Sequence, residues 1–200
     1  MRHRMVEETI RARGVEDPGV LRAMETVPRH LFVRPEDRRY AYADRALPLG
    51  LGQTVSQPYV VALMTELAGL RPGDRVLEVG TGSGYQAAVL AECGARVYSV
   101  ERLEPLARQA ADLLDELGYE VHIRVADGSL GWPEHAPYRA ILVTAAPEEV
   151  PPALLEQLEP GGRLVVPEGG RTGQVLRVYE RTGEGFVVTE HGYVQFVPLV

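Results

Sequence analysis

The 200-residue chain predicts an α/β fold, a doubly wound and mostly parallel sheet with helices on both faces and an antiparallel carboxyl-terminal hairpin. Three observations predict it. Short apolar, β-branched runs alternate with helical segments from Arg75 to Pro167, the pattern of a parallel sheet. The first of these runs, Arg75-Val-Leu-Glu-Val, enters a turn with Gly80, Gly82 and Gly84 and then the helical stretch from Tyr85 to Cys93, the layout of a nucleotide-binding strand, turn and helix. After Gly173 the helices stop, and two strand-like runs, 174–181 and 185–200, flank the hairpin signal Thr182-Gly183-Glu184.

The elements follow in order. Residues 3–13 and Pro18–Glu25 read as short helices, the second capped by Asp17 with proline in its first turn. Pro28 takes the chain out of helix. His30, flanked by Leu31 and Phe32, reads as a packed structural histidine. Tyr40 to Gln57 has little periodicity, and a loop of that length in a compact domain is usually functional. Ser56 then stands where a cap belongs, with Pro58 in the first turn of a helix whose apolar face is Val60, Leu63, Met64 and Leu67. Beyond the glycine turn come a strand 96–100 ending at Glu101, a helix 103–117 closed by Gly118, a strand 121–125 ending near Asp127-Gly128 and a strand 139–144. A helix 151–158, a Pro160-Gly161-Gly162 turn and a strand 163–167 complete the parallel part. The expected organisation is one domain: helices and a substrate loop over 1–57, an α/β core over 58–172 and strands over 173–200.

Ligands of such sheets sit beyond the carboxyl ends of the strands. Three acids end up there: Glu78, Glu101 and Asp127. Glu101 suits a pair of ribose hydroxyls, as it would in a dehydrogenase, and Asp127 suits an adenine amino group. The glycine spacing and Glu78 discriminate. Gly84 follows Gly82 by two residues, where a dinucleotide turn wants three, and a carboxylate in the strand disfavours a pyrophosphate but favours a cationic ligand. Glu78-x-Gly-x-Gly-x-Gly resembles the first motif of the class I methyltransferases, and the cofactor this resemblance implies, S-adenosylmethionine, with a sulfonium, an ammonium and no phosphate, fits that chemistry.

Composition bounds the rest. Hydrophobic residues are 45% and charged ones 24%, ordinary for a folded chain. A net charge of −7 with scattered basic residues argues against a phosphate-backbone partner. One cysteine, Cys93, precludes an intrachain disulfide; no run is long enough for a membrane span, and the first residues lack a signal peptide's apolar core. A cytoplasmic protein without a membrane or nucleic-acid partner is expected, as a monomer. His3, His122, His135 and His191 have no ligand spacing, so no metal is expected. Asparagine, which is labile when hot, is absent, which points to a heat-loving source; that all 21 basic residues are arginine is equally explained by base composition.

Val27-Pro-Arg-His-Leu-Phe-Val, Ala41-Tyr-Ala-Asp-Arg-Ala-Leu-Pro-Leu-Gly, Gly52-Gln-Thr-Val-Ser-Gln-Pro, Val79-Gly-Thr-Gly-Ser-Gly-Tyr, Asp127-Gly with Gly131-Trp-Pro, Ala136-Pro-Tyr, Val143-Thr-Ala-Ala-Pro, Pro160-Gly-Gly-Arg-Leu and Phe196-Val-Pro-Leu together resemble the protein-L-isoaspartate O-methyltransferases. These are class I enzymes with a Rossmann-like methyltransferase sheet. The resemblance spans residues 27–199, and its most specific part is Gly52–Pro58. It implies methyl transfer from S-adenosylmethionine, leaving S-adenosylhomocysteine, to the α-carboxyl of isoaspartyl residues in damaged proteins and peptides. It gives the active-site serine to Ser56 and cofactor roles to Gln53, Thr54, Val55, Ser56, Gly80, Gly82, Ser83, Glu101, Arg102, Asp127 and Gly128; Glu78 and Gly84 join them from the turn itself. Many relatives continue past Val-Pro-Leu with polar residues that close over the cofactor, so enclosure of the substrate is expected to differ here. A non-catalytic cofactor-binding module and a methyltransferase for a small molecule or RNA are the rival readings.

Overall fold

The computed structural model describes residues 1–170 and 173–200. The amino-terminal helix is one irregular coil: α1 (Arg2–Met5) passes into a π turn (Val6–Ile10) and a 3-10 turn (Arg11–Arg13), ending at Gly14 with φ 92°. In α2 (Pro18–Thr26) the Asp17 carboxylate accepts from the Val20 amide at 2.9 Å, the expected cap. His30 Nδ1 lies 2.7 Å from the Tyr42 hydroxyl, a structural contact.

The stretch from Tyr40 to Gln57 is not all loop. It contains an antiparallel hairpin, β1 (Leu47–Gly50) and β2 (Gln53–Val55). The strands are too short to show a period, and Leu51 at the turn takes a positive φ of 52°, which a leucine does not advertise. Ser56 does not cap the next helix, α3 (Pro58–Ala68). The N-cap is Gln57, and its side chain makes no capping bond. The orphan amide is served from a distance: Asp44 accepts from the Tyr59 amide at 3.0 Å, from the Gln57 side chain at 2.6 Å and from Arg13 at 2.9 Å. Asp44→Ala is therefore expected to cost about 1–2 kcal/mol, and Ser56→Ala less than about 0.5 kcal/mol, measured by urea denaturation. Equal losses would return the cap to Ser56.

The core face of α3 also differs from expectation. Val61, Ala62, Met64, Thr65 and Ala68 are buried, whereas Val60, Leu63 and Leu67 are only half-buried. Thr65 lies on the core face because its hydroxyl, bonded to the Val61 carbonyl at 2.8 Å, also accepts from Gln86 at 2.8 Å.

The alternating part then runs β3 (Arg75–Val79), α4 (Tyr85–Glu92), β4 (Arg96–Glu101), α5 (Glu104–Glu116), β5 (Val121–Val125), β6 (Tyr138–Val143), α6 (Pro152–Glu156), β7 (Leu158–Glu168), β8 (Gln174–Thr182) and β9 (Gly185–Val194). The sheet order is β5-β4-β3-β6-β7-β8-β9, parallel through β7 and antiparallel beyond it. The order reverses between β3 and β6, which opens a crevice at their carboxyl ends. Strand alternation splits the core: Val76, Val97, Ala140, Leu142 and Val165 meet α3, α4 and the amino-terminal helices, while Leu77, Val79, Ile141, Val143 and Leu164 pack against α6.

Two boundaries move. Pro160-Gly161-Gly162 lies inside β7 as a bulge, since Tyr138 pairs with Leu158 and Ala140 with Arg163; a Cβ on Gly162 would sit 2.8 Å from the Glu159 carbonyl. The last strand stops at Val194. Residues 195–200 leave the sheet and cross its carboxyl ends, where the Ala146 amide donates to the Val197 carbonyl at 2.7 Å and Leu199 to the Ala146 carbonyl at 2.9 Å.

Candidate functional site

The glycine turn after β3 is held from three sides. The Gly80 amide donates to the Val100 carbonyl at 2.8 Å, and the Thr144 hydroxyl donates to the Gly80 carbonyl at 2.6 Å. A Cβ on Gly80, at φ 99°, would lie 2.5 Å from that hydroxyl. The Gly82 amide donates to Glu101 Oε2 at 2.9 Å, while the Leu103 amide donates to Oε1 at 2.9 Å. Glu101, nearly buried at the end of β4, thus has both oxygens oriented by backbone and keeps lone pairs for a ligand. Gly84 has a different duty. It is the N-cap of α4, and a Cβ there would press on Leu114 and Ala110 of α5 at 3.1–3.3 Å.

Glu78 is fully buried in β3, opposite Ser99 of β4. The Ser99 hydroxyl donates to Oε2 and lies 2.6 Å from the Thr81 hydroxyl; Oε1 has no partner. Burial, reinforced by the Glu101 charge and opposed by the Ser99 bond, pushes the Glu78 carboxyl up to about 8. An unpartnered oxygen buried this deeply fits a cationic ligand group.

The β1–β2 hairpin brings Gln53, Thr54, Val55 and Ser56 to the same cavity. There they meet Glu78, Gly80, Gly82, Ser83, Glu101, Arg102 and Gly128, all on its walls. A Cβ on Gly128 would lie 2.5 Å from Val79 Cγ1. Two expected residues are not on the walls. Gly84 stands behind the turn, and the Asp127 carboxylate is exposed, its Oδ1 accepting from the Ser129 amide at 2.9 Å and hydroxyl at 2.7 Å. Those bonds hold its carboxyl below the usual range.

The walls also include residues that sequence reasoning did not single out: Thr81, Tyr85, Gln86, Thr144 and Ala145. Thr144 carried a usable signal, a polar residue at the end of an apolar strand. Phe196 to Val200 close the far side, and the buried Gln174 side chain fixes them by accepting from the Phe196 amide at 2.6 Å and donating to its carbonyl at 3.1 Å. The walls carry two carboxyl groups, Glu78 and Glu101, and one guanidinium, Arg102, a set that suits an adenosyl ligand bearing positive charge better than a pyrophosphate. Outside it, ligand atoms of His3, Glu7 and Glu25 lie within 4.8 Å of one another on the surface, where His3 Nδ1 is 2.8 Å from Glu25 Oε1. Among the described residues no helix is long and apolar enough to cross a membrane.

The family model "Protein-L-isoaspartate(D-aspartate) O-methyltransferase" matches residues 1–200. A protein-L-isoaspartate O-methyltransferase of Salinibacter ruber is 54% identical over 210 residues, covering 100% of this chain and 91% of the relative. One of Gloeobacter violaceus is 55% identical over 197 residues, covering 98% and 96%. Among solved structures, a protein-L-isoaspartate O-methyltransferase superposes with a TM-score of 0.88 at 32% identity, covering 99% of this chain, which spans 65% of that chain. A Plasmodium falciparum protein, described as a candidate enzyme of that name in complex with S-adenosyl-L-homocysteine, has a TM-score of 0.86 at 24% identity, covering 100% and 98%, and shares the fold. The match of sequence over the full length and of fold around an acidic, glycine-turned cavity has one reading: the chain belongs to the protein-L-isoaspartate(D-aspartate) O-methyltransferase family.

Proposed function

We propose that the cavity beyond β3 and β4 binds S-adenosylmethionine and that Ser56 orients the α-carboxylate that receives its methyl group. The chain is a repair methyltransferase for L-isoaspartyl residues, the activity of its family. The observation that carries the assignment to this cavity is that the hairpin bearing Gln53 to Ser56 forms a wall of the same space as the glycine turn and Glu101.

When bound, S-adenosylmethionine supplies a sulfonium methyl and leaves as S-adenosylhomocysteine. The acceptor carboxylate is already ionised at neutral pH, so the protein has no proton to remove. Its work is alignment and exclusion of water. Glu101 takes the ribose hydroxyls, Glu78 faces the ammonium group, and Ser56 donates to the carboxylate oxygen that does not react. Asp127 is assigned the adenine edge through the oxygen that Ser129 leaves free. Transfer of labelled methyl to an isoaspartyl peptide, against its aspartyl twin, tests the activity. An RNA or small-molecule acceptor labelled in preference would favour the rival class.

Ser56→Ala is expected to lower turnover at saturating peptide at least tenfold while S-adenosylmethionine affinity stays within a few-fold. Full turnover in the folded variant would remove Ser56 from the chemistry.

Glu78 gives cofactor binding a pH dependence. A folded-state value raised to about 8 means that free enzyme holds this proton at pH 7, and stability from it is lost as pH rises toward 8. A cationic ligand favours the carboxylate, so binding releases a proton and affinity rises from pH 6 to about 8. Glu78→Gln is expected to flatten the rise, and comparing the two proteins cancels titration of the ligand's own amine. Parallel pH profiles in calorimetry would separate Glu78 from the ligand.

The single cysteine and the charge of −7 support a cytoplasmic site of action without nucleic acid or membrane, and missing asparagine supports a heat-loving source. We read residues 1–200 as one domain acting as a monomer, which light scattering checks.

A further inference from the structure

Ser56 faces two openings. Besides the cofactor cavity, a groove of about 740 Å³ runs between α3 and residues 191–197, within the size of clefts that seat specific ligands. Thr54, Ser56, Phe196 and Val197 line both spaces. Methyl transfer by displacement needs donor and acceptor to arrive from opposite sides of the reacting carbon, and this shared partition is where two such approaches meet.

We infer that the groove holds the polypeptide flanking the isoaspartate, and that Val60 and Leu63, with Tyr193 at the rim, form an apolar subsite selecting a large apolar side chain beside it. The inference rests on Ser56 facing the acceptor carboxylate.

Four observations carry it. Val60 and Leu63 are half-buried: each packs partly against the core and also lines the groove. Tyr193 is 88% exposed, an aromatic ring at the groove edge with little packing in the fold. The end wall is rigid, because the Arg13 guanidinium lies 3.4 Å from the centre of the Tyr59 ring and is itself bonded to Asp44. Finally, the walls carry Arg13 and His191 and no carboxylate in a chain of net charge −7, and the Asp44 carboxylate bonded to three wall residues is taken up by Arg13, Gln57 and the Tyr59 amide.

The test uses two isoaspartyl peptides that differ only in a leucine or glycine beside the isoaspartate, made in both flanking positions. Wild type is expected to favour leucine at one position by about tenfold or more in kcat/KM, expressed in KM, as burial of one large apolar side chain provides. Leu63→Gln and Tyr193→Ser are each expected to bring that ratio toward one by raising KM for the leucine peptide. The exposure of Tyr193 makes its replacement a change without loss of core packing, and an unchanged dissociation constant for S-adenosylmethionine reads the integrity of both variants. A wild-type ratio near one at both positions, or a ratio that survives both substitutions, would overturn the groove assignment while leaving the repair activity intact. Methylation of none of the peptides would overturn the repair reading itself, and the groove with it.

Discussion

Glu101→Ala is expected to weaken S-adenosylmethionine binding about 100-fold or more, with turnover at saturating cofactor much less affected. The carboxylate is oriented before any ligand arrives, because the Gly82 and Leu103 amides hold one oxygen each at 2.9 Å. Charge-assisted hydrogen bonds of this kind contribute about 1.5–3 kcal/mol apiece, so losing even one of two ribose contacts accounts for tenfold to a hundredfold. The substitution also leaves the Gly82 amide without its partner, and the turn that should approach the ligand loosens. Glu101→Gln keeps the size and one carbonyl acceptor, but its amide nitrogen cannot accept from a backbone N–H. An intermediate loss follows. Calorimetry that returns wild-type affinity for both variants would remove Glu101 from the site.

How far the molecule was legible in its sequence differs between its parts for physical reasons. The parallel strands were readable because burial on both faces forces apolar runs, continuous in Ala140 to Val143 and interrupted only by Glu78 in Val76 to Val79. An ionisable residue in or ending such a run must answer to a ligand or to solvent: Glu78 and Glu101 do stand on the cavity walls, whereas Asp127, read by the same rule, is exposed and off them. Ser56 was misread as a cap because local sequence cannot show Asp44 reaching the same helix end from more than ten residues away. The β1–β2 hairpin was missed although Gly50 and Gly52, both at positive φ, flank its turn, because strands of four and three residues carry no readable period and Leu51 between the glycines masks the turn. Pro160-Gly161-Gly162 has turn composition yet lies in β7, since the neighbouring strand absorbs it as a bulge. Gln174 reads as an ordinary strand residue, and only the fold shows its amide standing in for a strand partner of Phe196. Contacts between elements distant in sequence account for Ser56, the β7 bulge and Gln174, and short strands account for the hairpin; local pattern accounts for what was found.

Isoaspartyl peptides are expected to exceed aspartyl peptides of the same sequence by at least about 100-fold in kcat/KM. Both carry one carboxylate at this residue, so charge does not separate them. The difference is position. In isoaspartate the main chain runs through the side-chain carbon, and the free carboxylate is attached directly to the α-carbon; in aspartate it hangs on a methylene. A site that works by alignment alone is sensitive to that displacement, since a misplacement of about 1 Å can cost on the order of a hundredfold in rate. The walls around Ser56 are built to resist adjustment. Phe196 is clamped at both backbone groups by Gln174, Val197 and Leu199 are tied to Ala146, and the cap from Asp44 anchors the start of α3 just after the hairpin. Walls that cannot shift by a bond length cannot serve both carboxylates. Comparable kcat/KM for the two peptides would mean that the walls do yield, and would leave a methyltransferase of broad carboxylate specificity in place of a repair enzyme.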